Sequence, residues 1–219
     1  MIKENTPTEY KQQLQQLILD KAMSMFKAHG LKNVKMDDLA QSLSISKRTL
    51  YELYANKEQL LFEGLVRDNE RNQRELMTYA AQGRNEIEIV VLALRLKLNE
   101  VSHVNPLFFS ELVKYVRVKA YLQDRFEEGR RQSIDFFLKG VEHGYFRKGV
   151  NYELIAQMSD AVTNYVMEKK MYEIYPLSEI FENYIHVQLR GLCTAKGLEV
   201  LDRLMKENGG LKGKEKSEG

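Results

Sequence analysis

The chain has 219 residues, of which 43% are apolar and 29% charged, a composition typical of a globular protein rather than a disordered or fibrous one. It contains 3 prolines and 13 glycines, and so few breakers favour helices over a turn-rich β-sandwich. The single cysteine, Cys193, excludes an intramolecular disulfide and a four-cysteine metal site. A net charge of +2 indicates no particular class of partner.

Neither the first residues nor the most apolar run of the sequence is typical of a secreted or membrane protein. Residues 1–13 lack the apolar core of a signal peptide. The run Ile87–Leu98 is shorter than the roughly 20 residues that span a bilayer and contains Glu88, Arg95 and Lys97. We therefore expect a cytoplasmic protein with no membrane partner.

Apolar residues recur at helical spacing along most of the chain, which predicts an all-α fold. Glycines 30, 83 and 144 stand where helices should end, and Pro106 and Pro176 stand at first helical positions. We predict helices at about 9–29, 36–43, 46–54, 57–81, 85–103, 106–117, 120–143, 152–171, 177–195 and 198–207.

Two short predicted helices within Met36–Lys57 have the pattern of a helix-turn-helix. Ala40 is small enough for the second helix to cross it, Ile45 fills the turn, and Leu50 and Leu53 point inward. The outward side chains of the second helix can reach base edges or phosphates; they are Ser46, Lys47, Arg48, Thr49, Tyr51 and Glu52. An ordinary pair of surface helices with a basic turn is the alternative reading of this spacing.

The same residues resemble the N-terminal DNA-binding region of the TetR family of bacterial transcriptional regulators. The resemblance covers about residues 9–65 and rests on Gly30, Met36-Asp37-Asp38-Leu39-Ala40, Ile45-Ser46-Lys47, Thr49-Leu50-Tyr51 and Asn56-Lys57. It implies a three-helix helix-turn-helix domain at 9–56 and a helical effector-binding and dimerisation domain at 57–207. The Gly- and Lys-rich segment 208–219 is predicted to be a disordered tail.

The resemblance also implies which side chains bind DNA. The predicted set is Lys35, Met36, Ser46, Lys47, Arg48, Thr49, Tyr51 and Lys57. Three positions depart from the family: Lys35 replaces a threonine that caps a helix, Ser44 replaces a glycine in the turn, and Leu53 replaces a tyrosine or histidine that contacts phosphate. A left-handed backbone at Ser44 would cost about 1 kcal/mol relative to glycine.

Charge in the N-terminal region is clustered rather than abundant. Residues 1–64 hold nine Lys or Arg and eight Asp or Glu, so the region is not generally basic. Lys35, Lys47, Arg48 and Lys57 nevertheless all belong to the predicted DNA side. We expect attraction to phosphates to be local and moderate.

The later helices are predicted to form a dimer and to enclose an effector. The helices at 152–171 and 177–195 have apolar stripes broad enough for both a core and a second subunit, which with the resemblance predicts a homodimer. Large side chains of the middle helices are candidates for an apolar pocket: Arg95, Leu98, Phe109, Leu112, Phe137, Met158 and Tyr165.

No pattern in the sequence predicts catalysis, a cofactor or a metal site. Glu100 and His103 form a single helical E-x-x-H pair, whereas a di-iron site needs two such pairs and two further glutamates. We expect a homodimeric repressor that binds a palindromic double-stranded DNA operator and is released by a small molecule. The alternative is a helical adaptor or enzyme with an incidental helix-turn-helix.

Overall fold

The computed structural model describes residues 7–208, and over this range the fold is all-helical, as predicted. Its α-helices are α1 (Pro7–His29), α2 (Met36–Ser42), α3 (Lys47–Leu53), α4 (Lys57–Ala80), α5 (Glu86–Ser102), α6 (Pro106–Leu112), α7 (Val116–Glu142), α8 (Tyr152–Glu168), α9 (Leu177–Leu192) and α10 (Ala195–Asn208). A single 3-10 turn, Met171–Glu173, follows α8. The predicted disordered tail lies outside the described residues except for Asn208.

Local sequence signals set most of the helix ends. Gly30, Gly83 and Gly144 have φ angles of 82°, 75° and 79°, the left-handed conformation expected just after a helix. Pro106 occupies the first turn of α6, as predicted. Pro176 instead precedes Leu177, the first residue of α9, so its predicted position was wrong by one residue.

The boundary between α6 and α7 differs from the prediction. α6 ends at Leu112 and α7 begins at Val116, whereas the sequence predicted helices at 106–117 and 120–143. Two tight backbone hydrogen bonds close the intervening turn, from Lys114 N–H to the Glu111 carbonyl (3.1 Å) and from Tyr115 N–H to the Leu112 carbonyl (3.2 Å). Because no glycine or proline lies in this turn, no sequence signal marks it.

The chain packs as two compact units. The N-terminal unit comprises the residues up to Arg71 and Val104–Leu122, and the C-terminal unit comprises Asn72–His103 and the residues from Gln123 onward. These units are defined by packing, whereas the predicted boundary after residue 56 is a functional one and stays a prediction.

The N-terminal unit is built around α1. Phe26 and Leu31 from its end pack with Leu39, Leu50 and Leu60 in one buried cluster. A buried carboxylate, Glu111 of α6, accepts a hydrogen bond from the backbone N–H of Lys32 at 2.8 Å. The helix-turn-helix elements are thereby held on a packed base rather than on a mobile loop.

The core of the C-terminal unit contains a cluster of aromatic rings among aliphatic side chains. Phe137 stacks on Tyr152 with ring centroids 5.4 Å apart and contacts Phe146 at 4.8 Å. Cys193 is fully buried beside them, and burial raises the pKa of its thiol to about 11. A thiol held in the neutral form is a poor nucleophile, which agrees with a structural role.

Candidate functional site

Helices α2 and α3 adopt the helix-turn-helix geometry that the sequence predicted. Ala40 and Leu50 are buried at the crossing, and Ile45 packs against the same core from the turn. The backbone N–H of Ile45 donates to the Ala40 carbonyl at 3.0 Å, which closes the turn. Ser44 within it has a φ of 54°, the left-handed conformation in which glycine is favoured.

Helix α3 begins at a side-chain cap and exposes its polar face. Ser46 Oγ accepts a hydrogen bond from the Thr49 N–H at 3.0 Å and lies 2.8 Å from the Thr49 hydroxyl. Lys47, Arg48 and Tyr51 are exposed, with Tyr51 at 48%. Five of the predicted DNA-binding residues therefore lie at the N-terminus and outer face of one short helix.

Two carboxylates already pair with the cations of this face. Lys47 Nζ lies 2.5 Å from Asp37 of α2, and Arg48 Nε lies 2.8 Å from Glu52 of α3. The hydrogen bond to Asp37 raises the pKa of Lys47, and that to Glu52 raises the pKa of Arg48. Any phosphate that approaches must compete with these carboxylates. The spacing of four residues between Arg48 and Glu52 could have revealed one pair from sequence.

The remaining predicted DNA-binding residues differ in availability. Lys35 is exposed and its side chain does not cap α2, while the Asp38 carboxylate accepts a hydrogen bond from the Lys35 N–H at 2.9 Å. Met36 was also predicted to bind DNA, but it is only 8% exposed and packs in the core, so its side chain is not available for such a contact.

Lys57 is partly withdrawn from solvent. Its Nζ donates to the Leu31 carbonyl at 2.7 Å, and burial lowers its pKa. One of its three donors is thus used inside the protein, and only the others remain for a phosphate.

Two side chains of the second helix belong to the interior. Leu53 packs against the buried cluster, so the family's phosphate contact at that position is replaced by a core contact. Tyr54 is 2% exposed and its hydroxyl donates to the Gln15 carbonyl at 3.2 Å. Tyr54 therefore belongs to the core and is not available to contact DNA.

Two adjoining cavities lie within the C-terminal unit, among α5, α7, α8 and α9. The outer cavity, about 400 Å³, has charged and aromatic walls, which include Arg125, Phe126, Arg130, Tyr152, Ile155 and Asp160. The inner cavity, about 340 Å³, has mainly apolar walls, which include Val90, Leu94, Phe181, Ile185 and Leu189. Ser133, Phe137, Ser159, Gln188 and Leu192 line both. Volumes of this order accept a small organic molecule.

A polar network stands where the two cavities meet. Ser159 Oγ accepts from Gln188 Nε2 at 2.8 Å and from the Tyr184 hydroxyl at 3.3 Å. The Ser159 hydroxyl itself donates to the Ile155 carbonyl at 2.9 Å. These bonds fix Gln188 and Tyr184 in the cavity wall.

The residues predicted for the effector pocket lie mostly outside the two cavities described above. Of the seven residues in this predicted set, Phe137 alone lines those cavities. Leu98 and Leu112 are buried in packing, Phe109 packs in the core of the N-terminal unit, and Arg95 Nη2 donates to the Leu204 carbonyl at 3.4 Å.

The other two members of that set, Met158 and Tyr165, are 54% and 57% exposed on α8. Leu154 is exposed on the same helix, at a spacing that places the three on one face. Val187 of α9 is exposed as well. We call the surface formed by Leu154, Met158 and Tyr165 the α8 face. It is separate from the side of α8 that lines the cavities.

No group of three or more potential metal ligands was found among residues 7–208. Glu100 lies 3.5 Å from Lys97, and the His103 ring contacts the Asn99 carbonyl, so the E-x-x-H pair is engaged in ordinary helix contacts. Within the same range no helix has the length and apolar character needed to cross a bilayer.

Known proteins share both the motif and the fold. Residues 18–63 match the family described as bacterial regulatory proteins, tetR family. A curated relative, the HTH-type transcriptional repressor KstR2 of Mycobacterium tuberculosis, is 23% identical over 144 residues, which cover 63% of this chain and 72% of the relative.

Residues 18–63 thus have the DNA-binding region that the TetR family shares. The likeness to known regulators supports a ligand-responsive DNA-binding regulator of that kind. The alternative of an adaptor or enzyme with an incidental helix-turn-helix is not favoured.

Solved structures extend the likeness in fold over most of the chain. The ketosteroid transcriptional regulator KstR2 of Mycobacterium tuberculosis has a TM-score of 0.59 at 19% identity, over 83% of this chain and 95% of that one. The TetR-family protein CprB from S. coelicolor A3(2) has a TM-score of 0.66 at 16% identity, over 91% of this chain and 100% of that one.

Proposed function

We propose that the chain acts as a homodimeric repressor that places Ser46–Glu52 of each subunit in the major groove of a palindromic operator. The observation that carries the proposal is the exposed face of α3, which presents Lys47, Arg48 and Tyr51 at a capped helix N-terminus. Side chains of this kind read base edges and contact phosphates from a recognition helix.

A second copy of the chain is the proposed partner for the α8 face. Leu154, Met158 and Tyr165 form an apolar surface that costs free energy when left in water. Two such faces related by a two-fold axis would cover each other with identical contacts. This arrangement involves α8 and α9, the helices predicted at about 152–171 and 177–195.

The adjoining cavities of the C-terminal unit are the proposed effector site. A ligand that fills them contacts α5, α7, α8 and α9 at once. Release of DNA then requires that the ligand bind the non-binding arrangement of the dimer more tightly, because equal affinity for both arrangements shifts nothing.

Selection of bound duplexes from a random DNA pool tests the proposal. The expected consensus is an inverted repeat, and light scattering of the protein should give twice the mass of one chain. Recovery of an asymmetric or direct-repeat consensus would contradict the two-fold arrangement. Failure to enrich any sequence would remove the assignment of α3 as the reading helix.

A further inference from the structure

Two arginines of α7 stand on the wall of the outer cavity. Nε of Arg125 is buried and has no hydrogen-bond partner among residues 7–208, although its Nη1 donates to Glu128 at 2.7 Å. Leaving a buried guanidinium N–H without an acceptor costs free energy. An acceptor supplied by a ligand would satisfy it.

The second arginine, Arg130, lies about one and a half helical turns further along and shares the wall with Asp160 of α8. Burial raises the pKa of Asp160, and the positive charge of Arg130 counteracts this rise only in part. The lining of the outer cavity therefore contains two guanidiniums and one carboxyl group, and Glu128, which pairs with Arg125, is not part of that lining. This excess of cationic groups on the wall favours an anionic group on a ligand.

The inner cavity has the opposite character. Beyond the polar network of Ser159, Tyr184 and Gln188, its walls are built mainly from aliphatic and aromatic side chains of α5 and α9. An unpaired charge would be strongly disfavoured there, whereas a hydrocarbon group gains free energy by leaving water.

We propose that the effector is an amphipathic anion, with an apolar body in the inner cavity and a carboxylate or phosphate group held by Arg125 and Arg130 in the outer one. This inference rests on the proposed function, since it assigns the ligand class of the same effector site. Guanidinium groups bind both kinds of anionic group through charge-assisted hydrogen bonds, so the two are separated by experiment.

The test compares four probes that share a twelve-carbon chain: dodecanoate, dodecyl phosphate, dodecanol and dodecylammonium. Calorimetric titration of the full chain, below the micelle concentration of each probe, measures their affinities. We expect at least one anion to bind about tenfold or more tightly than the alcohol and the ammonium. The tighter of the two anions then identifies the head group as carboxylate or phosphate.

Substitutions locate the anion. Arg125→Gln and Arg130→Gln should each weaken binding of the anion about tenfold and leave the alcohol unchanged. Arg131→Gln is the matched control, because Arg131 neighbours Arg130 on α7 but is exposed and lines neither cavity.

Equal affinity for the alcohol and the anions overturns the proposal, as does an unchanged anion affinity in both cavity variants. The comparison of probes on the unmodified chain decides the matter even if a variant folds poorly. Binding to the selected operator without ligand is measured in parallel. If operator binding persists while the anions fail to bind, the ligand class is wrong and the proposed function stands. If no operator is bound, the proposed function itself fails.

Discussion

At the scale of single residues, Ser44 carries a backbone conformation that its side chain disfavours. Its φ of 54° lies in the left-handed region, which costs an L-residue roughly 1–2 kcal/mol. Ser44→Gly should raise the free energy of unfolding by about 1 kcal/mol in urea titrations. Ser46→Ala, two residues away, should lower it by about 1 kcal/mol, because it removes the cap of α3. Equal effects of the two substitutions would contradict this account of the turn.

Tyr51 of α3 and Tyr54, which directly follows α3, are expected to have different roles: Tyr51 in DNA binding and Tyr54 in stability. Tyr51→Ala should weaken operator binding about tenfold or more while the free energy of unfolding hardly changes, because the side chain is exposed. Tyr54→Phe should leave operator binding intact but cost about 1 kcal/mol of stability, since it removes the buried hydrogen bond to Gln15. Fluorescence anisotropy and urea unfolding measure the two quantities. Unfolding of the Tyr51 variant would show that α3 faces the other way.

The carboxylates of Asp37 and Glu52 should lower the affinity of α3 for DNA, because they pair with its cations. Asp37→Asn and Glu52→Gln release Lys47 and Arg48, so each should raise affinity for an arbitrary duplex about fivefold and steepen its dependence on salt. Glu127→Gln is the control, since Glu127 is an exposed acid of the C-terminal unit. An affinity unchanged by all three substitutions would mean that the pairs do not limit phosphate contact.

Residue roles were predictable where spacing determines them. Ala40 and Leu50 could be assigned to the crossing because a helix-turn-helix permits only small and apolar groups there. The environments of Met36 and Lys57 were harder to predict. Both residues are the first of a helix, where an error of one residue in the predicted start turns a side chain from solvent to core. Burial of Met36 and the bond of Lys57 to Leu31 arise from tertiary packing.

At the scale of elements, the absence of a side chain at Gly64 of α4 leaves room for the side chain of Met23 of α1. A Cβ at Gly64 would overlap the side chain of Met23. Gly64→Ala should therefore cost about 1–3 kcal/mol of unfolding free energy, despite the better helix propensity of alanine. Gly129→Ala on α7 meets nothing within 4 Å and should instead stabilise by roughly 0.5–1 kcal/mol. Thermal unfolding monitored by circular dichroism distinguishes the two, and stabilisation by both would refute close packing at Gly64.

Most elements follow from apolar periodicity and glycine ends, and the exceptions are instructive. α10 begins at Ala195, where the Thr194 carbonyl and hydroxyl take up N–H groups of the first turn, rather than at the predicted residue 198. The turn between Leu112 and Val116 contains no breaker at all. Thr194 is a cap residue that the sequence does show, so the start of α10 was open to prediction, whereas the turn between Leu112 and Val116 is closed by backbone hydrogen bonds that no residue type marks.

At the scale of the whole molecule, dimerisation should depend on the α8 face. Met158→Lys places a charge on this apolar surface, so light scattering should detect a monomer and operator affinity should fall about a hundredfold or more as bivalent binding is lost. Because Met158 is exposed in the isolated subunit, the substitution should leave the helical content of each subunit unchanged. Met77→Lys, on an exposed methionine of α4, should keep the dimer. A dimeric Met158 variant would assign the interface elsewhere.

The cavities show the limit of prediction at this scale. Their walls combine α5, α7, α8 and α9, and no spacing along a single helix reveals that Arg125 and Gln188 share a wall. The presence of large apolar residues in the sequence did not identify the cavity walls, because most such residues fill the core. Met158 and Tyr165 were misplaced for a related reason: periodicity identifies two apolar stripes on a helix but not which of them faces inward.

The internal pairing of Lys47 with Asp37 and of Arg48 with Glu52 bears on how the protein searches a genome. Sliding along DNA depends on sequence-independent attraction to phosphates, and here two of the cations that would supply it are already paired with carboxylates. We expect short sliding excursions and frequent return to bulk solution, so that the operator is found by repeated three-dimensional encounters. Little of the protein would then be sequestered on the rest of the chromosome, and a small cellular pool would suffice to keep the operator filled.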